Sequence, residues 1–165
     1  MTIRPYKYGE DFEAVKGFMT DERTHALWSA GIFGYPLMRE SFENKLRELE
    51  AGGDRPYIAL GDEGEAEGFF LLSNADGEGR AMLKFVIVAP SQRGRGTGRQ
   101  MVSLAVEQAF GEGADVVALC VFSVNDKARR CYLSAGFEEK SVTPGAFSYN
   151  GEIWGRCALE IRREG

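Results

Sequence analysis

The chain has 165 residues, 44% of them hydrophobic, which suits one compact domain spanning 1–165 with a full-sized core. Its formal net charge of −5 argues against general nucleic-acid binding and mildly favours a cationic partner such as an amine. No apolar run is long enough for a membrane, Met1 to Tyr6 lacks the shape of a signal peptide, and an odd count of three cysteines beside a single histidine reads as reduced thiols in a cytoplasmic protein without a metal site.

Thr2 to Lys7 reads as a first strand that Pro5 confines to an edge or ends. Phe12, Val15, Phe18 and Met19 follow helical spacing, and Asp21 to Thr24 opens a short helix toward Trp28. Gly31 to Pro36 is a loop rich in apolar groups. Pro36 is expected in the first turn of a helix carrying Met38, Phe42, Leu46 and Leu49, with Glu43 able to pair with Arg47 and Gly52-Gly53 as the stop. Tyr57 to Leu60 and Gly68 to Leu72 are short strands joined by Gly61 to Gly64, and Asp76 to Gly79 turns the chain into a strand over Met82 to Val88. A helix over Met101 to Phe110 follows, then Val116 to Phe122, a continuous apolar run expected to be covered on both faces. Strand, helix and strand in that order imply a parallel pair with a crossover helix. Phe137 to Val142 and Ile153 to Ile161 close the sheet, with Thr143-Pro144-Gly145 as their expected turn.

Between the strand Met82 to Val88 and the helix lies Ala89-Pro90-Ser91-Gln92-Arg93-Gly94-Arg95-Gly96-Thr97-Gly98. Glycines let a backbone turn tightly with its N–H groups on one side, and a helix start adds unpaired N–H donors and a partial positive charge. With Arg93, Arg95 and Arg99 this makes a cradle for a phosphate or diphosphate. A P-loop is excluded because Arg99 and Gln100 follow Gly98, and a dinucleotide fingerprint because Arg99 stands where its last glycine belongs.

The segment resembles the acyl-CoA diphosphate loop of the GNAT acetyltransferase superfamily, Gln/Arg-x-x-Gly-x-Gly/Ala after a strand ending Val-x-Pro, with Arg93, Gly96 and Gly98 in place. Downstream, Asn125, Ala128, Tyr132, Gly136 and Phe137 match that family's Asn-x-x-Ala-x-x-x-Tyr-x-x-x-Gly-Phe in register. Taken singly, Asn125 reads as a helix cap, Gly136 as a helix stop and Tyr132 as a packing aromatic.

The resemblance implies an α/β (α+β) GNAT-like fold: a mixed, twisted sheet with helices on both faces and splayed central parallel strands. It implies acetyl-CoA as acyl donor, with no metal, and a small-molecule amine as acceptor attacking directly in a ternary complex. The pantetheine arm would bond to the backbone of Phe85, Val86 and Val88. The diphosphate would sit on Arg93, Gly94, Arg95, Gly96, Thr97 and Gly98. Asn125 would orient the arm, and Tyr132 would protonate the leaving thiolate. Lys127 and Arg130 read as solvated helix charges beside a lesser phosphate role. A homodimer is compatible with the family.

The general base stays open. Where ribosomal-protein N-terminal acetyltransferases of this family carry a glutamate, this sequence has Cys120. Glu65, Glu67 and Glu152 are acidic residues near strands, and His25 is a base by chemistry alone, though a lone histidine is more often structural. Trp28, Phe33 and Tyr35 are candidates for the acceptor pocket, with Phe147 and Tyr149 as its opposite wall. Peptide or protein N-terminal acetylation, and a non-catalytic acyl-CoA-binding regulatory module, are the alternative functions.

Overall fold

Phe12, Val15 and Phe18 fall on one side of a helix, and the computed structural model, which describes residues 1–165, buries all three from α1 (Phe12–Phe18). The strand before it, β1 (Thr2–Pro5), lies at a sheet edge, where the missing N–H of Pro5 is tolerated. Arg4 holds the two together with a bidentate pair to Asp11 at 2.7 and 3.0 Å. Burial alone would raise the Asp11 pKa, but the Arg4 guanidinium and the Lys7 N–H hold it below the usual carboxylate range. Helix α2 (Glu22–Ser29) is capped by Asp21, whose carboxylate accepts from Thr24 N at 2.7 Å.

Two expectations fail at α3 (Arg39–Ala51). The helix starts from Met38, so Pro36 stands in the preceding loop rather than in the first turn. Glu43 does not pair with Arg47. It points inward, 6% exposed, and accepts from the Tyr6 hydroxyl at 3.1 Å and Gly9 N at 2.9 Å. Arg47 instead lies 4.4 Å over the Tyr8 ring.

The remaining strands are β2 (Asp54–Leu60), β3 (Ala66–Ser73), β4 (Arg80–Val88), β5 (Val116–Phe122), β6 (Glu138–Tyr149) and β7 (Glu152–Arg162). They form one seven-stranded mixed sheet in the order β1-β2-β3-β4-β5-β7-β6. Two helices lie between these strands in sequence, α4 (Thr97–Gly111) and α5 (Asp126–Ser134). Pleat alternation divides the core. Ile58, Phe69, Leu71 and Ile87 pack under α1, α2 and α3 on one face. Tyr57, Phe70, Leu72, Leu119 and Leu159 pack under α4 and α5 on the other. The helices therefore cover both faces, and β4 and β5 are the parallel pair joined by α4.

The closing hairpin departs from expectation. β6 runs through Thr143-Pro144-Gly145, whose extra residues bulge between Thr143 and Phe147. The turn lies at Asn150-Gly151, both with positive φ (46° and 81°). Asn-Gly is the strongest short hairpin signal, and an edge strand tolerates a proline.

Candidate active site

Parallel pairing of β4 with β5 is short. Arg80, Ala81 and Met82 face Val116, Val117 and Ala118, and beyond them the strands have no register partners in each other. At the point of separation β4 also carries an extra residue relative to β3, because Leu71 pairs with Lys84 while Phe69 pairs with Ile87. Phe85 takes φ 51°, a left-handed conformation that strains a bulky side chain. What holds it is α2 and the loop after it: Trp28 Nε1 donates to Phe85 O at 2.7 Å, and Trp28 and Phe33 both pack edge-on against the Phe85 ring. Phe85 and Val86 are left without a register partner on either neighbouring strand.

The chain then passes a single 3-10 turn (Pro90–Gln92) into the glycine loop. Gly94 and Gly96 have φ 76° and 80°, and a Cβ on either would meet nothing within 4 Å. No backbone N–H from Gly94 to Arg99 donates to another protein group. Gly96 caps α4 without a side-chain bond, so those donors meet the positive end of the helix dipole, beside the exposed Arg95 and Arg99. Gly98 has a different reason. A Cβ there would lie 3.3 Å from Cys131 Sγ and 3.4 Å from Val88 Cγ2, so glycine lets α4 start close against β4 and α5. The loop fits the diphosphate of coenzyme A in donors, charge and open space. The Arg93 side chain is engaged elsewhere: Nε donates to Val88 O at 3.1 Å and a terminal N to Phe18 O at 2.7 Å. It ties the end of α1 to the end of β4, so a role at the diphosphate would fall to its main chain.

Helix α5 starts at Asn125, whose side-chain oxygen accepts from Ala128 N at 3.4 Å. One helical face then carries Tyr132 into the core beside Val121 and Phe137, 7% exposed. Its hydroxyl bonds to no protein group, and burial pushes the phenol pKa above its ordinary value. The phenol therefore stays protonated at neutral pH, as a proton donor must.

On the α2 side of the opened sheet lies a cavity of about 230 Å³, walled by Leu27, Trp28, Ile32, Phe85 and Phe122 with Lys84, Cys120 and Arg156. Cys120 is the exposed member of β5, so that strand is not covered on both faces as its apolar run suggested. Of the aromatic candidates, Trp28 lines the cavity, whereas Phe33 is core and Tyr35 stands 48% exposed against His25. Ile32, two-fifths or more exposed, takes the place expected of its neighbours. Phe147 and Tyr149 pack on Trp154 behind Phe122 instead of forming a wall.

None of the candidate bases reaches this cavity. His25 is 4% exposed, and its Nε2 donates to Phe33 O at 2.9 Å. Glu152 is paired with Arg23 at 2.5 Å and accepts from Trp154 Nε1 at 3.2 Å. Glu67 lines a separate polar hollow with Gln92, Arg95 and Thr97, and burial beside Glu65 raises its pKa. The two cations at the cavity, Lys84 and Arg156, gave no signal in the sequence, because only the strand register brings them together.

Comparison with known proteins agrees with this geometry. Streptothricin acetyltransferase from Streptomyces lavendulae is 33% identical over 90 residues, 54% of this chain and 48% of that protein. An uncharacterized N-acetyltransferase from Methanocaldococcus jannaschii is 36% identical over 74 residues, 45% of this chain and 33% of its own length. The matches thus span about half or less of these relatives. Spermidine N-acetyltransferase from Vibrio cholerae, solved with CoA and spermine, shares the fold at TM-score 0.82 and 19% identity, covering 98% of this chain and 94% of that one. Ribosomal-protein-alanine N-acetyltransferase from Brucella melitensis does so at 0.78 and 20%, covering 99% and 100%. The sequence model of the Acetyltransferase (GNAT) family matches residues 22–137, and with the splayed strands, the bulge and the glycine loop in place the chain belongs to that family.

Proposed function

We propose that the protein transfers the acetyl group of acetyl-CoA to a primary amine by direct attack, both substrates being bound at once. The observation that carries this is the run of unpaired amides from Gly94 to Arg99 directly after β4, the strand that parts from β5 and on which Phe85 and Val86 have no register partner. The diphosphate lies on the loop amides near Arg95 and Arg99, and the pantetheine arm runs into the gap, where Asn125 orients it. The thioester then meets the bulge with its carbonyl oxygen toward the Val86 N–H. A donor fixed in advance at the site of developing charge is among the largest contributions an enzyme makes.

The acceptor enters through the cavity beside Trp28. An alkylamine has a pKa near ~10 and must be neutral to attack. The cavity offers no carboxylate or imidazole for this. Deprotonation therefore falls to water, and the apolar walls of Leu27, Trp28, Ile32 and Phe122 disfavour the charged ammonium form. Attack forms the C–N bond, collapse breaks the C–S bond, and Tyr132 protonates the departing thiolate. The products are the N-acetylated amine and free coenzyme A. The test is thiol release from acetyl-CoA across a panel of amines and N-terminal peptides. Turnover with small amines supports the proposal, and turnover with peptides alone shifts it to protein N-termini. The missing base favours one other reading, a regulatory module that binds acyl-CoA without catalysis. Tight binding of acetyl-CoA with no turnover on any acceptor identifies it.

A further inference from the structure

We infer that the acceptor carries an anionic group, a carboxylate, next to its amine and an apolar side chain, and that Arg156 binds that carboxylate. This rests on the proposed acetyl transfer and names the substrate class of the same cavity.

The chain has 25 acidic and 20 basic residues, so carboxylates outnumber the cations that could meet them. The strand arginines reflect this: Arg4 meets Asp11 at 2.7 Å, Arg55 meets Glu112 at 2.6 Å, Arg80 meets Glu160 at 2.5 Å and Arg162 meets Glu160 at 3.7 Å. Arg156, on β7 opposite Phe122, is the strand arginine with no carboxylate within 4.0 Å and no hydrogen-bond acceptor. It is also the one that lines the cavity. Glu152 and Glu160, each four residues from Arg156 on β7, are already taken, the first by Arg23 and the second by Arg80 and Arg162. Lys84, across the cavity, is neutralised from behind by buried Asp54, both of whose oxygens lie 3.1 Å from Nζ.

The cavity therefore presents one uncompensated, fork-shaped cation and no acidic lining residue, although the molecule as a whole is negative. Local charge decides recognition at contact range, because charges beyond a Debye length are screened. A polycation would meet repulsion here. A guanidinium matches a carboxylate with two parallel bonds, and the walls of Leu27, Trp28, Ile32 and Phe122 suit an apolar side chain. An apolar α-amino acid, or a compound built like one, combines the three features. The acceptor stays an amine, as the overall charge leads one to expect, with a carboxylate beside it.

The test compares leucine, methionine and phenylalanine with their amides and with spermidine, in the native chain and in Arg156→Gln and Arg156→Lys. Within each protein, the ratio of kcat/KM for an amino acid to that for its amide is the readout, and comparing proteins cancels the different amine pKa values. A charge-assisted pair is worth about tenfold to a hundredfold, so Arg156→Gln should lower that ratio by this factor and Arg156→Lys should restore part of it. An unchanged ratio, or native preference for spermidine, overturns the inference. If no acceptor turns over, the acetyl-transfer proposal fails instead. Calorimetry with N-acetylleucine and N-acetylleucinamide on the CoA-bound protein still decides this one: binding that needs both the carboxylate and Arg156 supports it, and equal or absent binding overturns it.

Discussion

Trp28→Phe separates what holds the β4 bulge from what fills the core. The indole N–H bonds to Phe85 O at 2.7 Å, in a residue 8% exposed. Losing that bond costs about 1 kcal/mol net, and the smaller ring leaves a void worth roughly 1–2 kcal/mol. The expected loss is therefore about 2–3 kcal/mol, which lowers the urea midpoint by roughly 1 M for a slope of about 2 kcal/mol/M. Freed from the indole, the strained Phe85 peptide can rotate, and the Val86 N–H loses its fixed aim. Deleting an oxyanion donor costs about 10²–10³ in kcat, so loosening one should cost about tenfold. Phe33→Leu is the control, since its ring stacks on Trp28 at 5.0 Å, is 4% exposed and touches the Phe85 ring, but makes no hydrogen bond to β4. It should lose about 1–2 kcal/mol with turnover nearly intact. Both variants are assayed well below their melting points. An unchanged kcat in Trp28→Phe, or an equal fall in Phe33→Leu, refutes the reasoning.

Other variants address the remaining parts. Gly96→Ala places a Cβ at φ 80°, where nothing lies within 4 Å, so left-handed strain alone should cost about 1 kcal/mol of stability. Because the first-turn amides shift with it, calorimetry should show about tenfold weaker coenzyme A binding; unchanged affinity would take the loop out of the grip. Arg93→Ala loses the bonds to Phe18 O and Val88 O and should destabilise by about 2 kcal/mol, with coenzyme A affinity changed less than about threefold. Weaker binding at full stability would return that side chain to the phosphates. Tyr132→Phe should lower kcat about a hundredfold with acetyl-CoA affinity nearly unchanged. Since burial raises the phenol pKa, its neutral form persists to higher pH, and the native pH–rate profile should show no fall from Tyr132 below about pH 10.

What the sequence showed of the fold was what local chemistry decides. The apolar run Val116 to Phe122 became β5 at those bounds, the caps Asp21 and Asn125 sat where their helices begin, and the glycine loop followed its strand. The misses depend on distant partners. Glu43 has an inviting Arg47 one turn away, but Tyr6 and the Gly9 amide reach it from the other side of the core. Arg93 looked like a phosphate ligand because the carbonyl of Phe18 is far away in sequence. The bulge at Phe85 and the presence of Lys84 and Arg156 at one cavity arise from register between strands, which no single segment encodes. The hairpin was a different kind of miss: Asn150-Gly151 announced the turn, and Pro144-Gly145 drew attention away from it.

The bulged course of β6 has a consequence for behaviour in a crowded solution. An outermost strand of twelve residues is a ready template on which a stranger could add another rung, and chains with such margins tend toward fibrils. Here the ladder is broken midway by a proline that offers no donor and by the bulge beside it, and the strand opens on the ion pair of Glu138 and Lys140, so an incoming strand finds no uninterrupted row to copy.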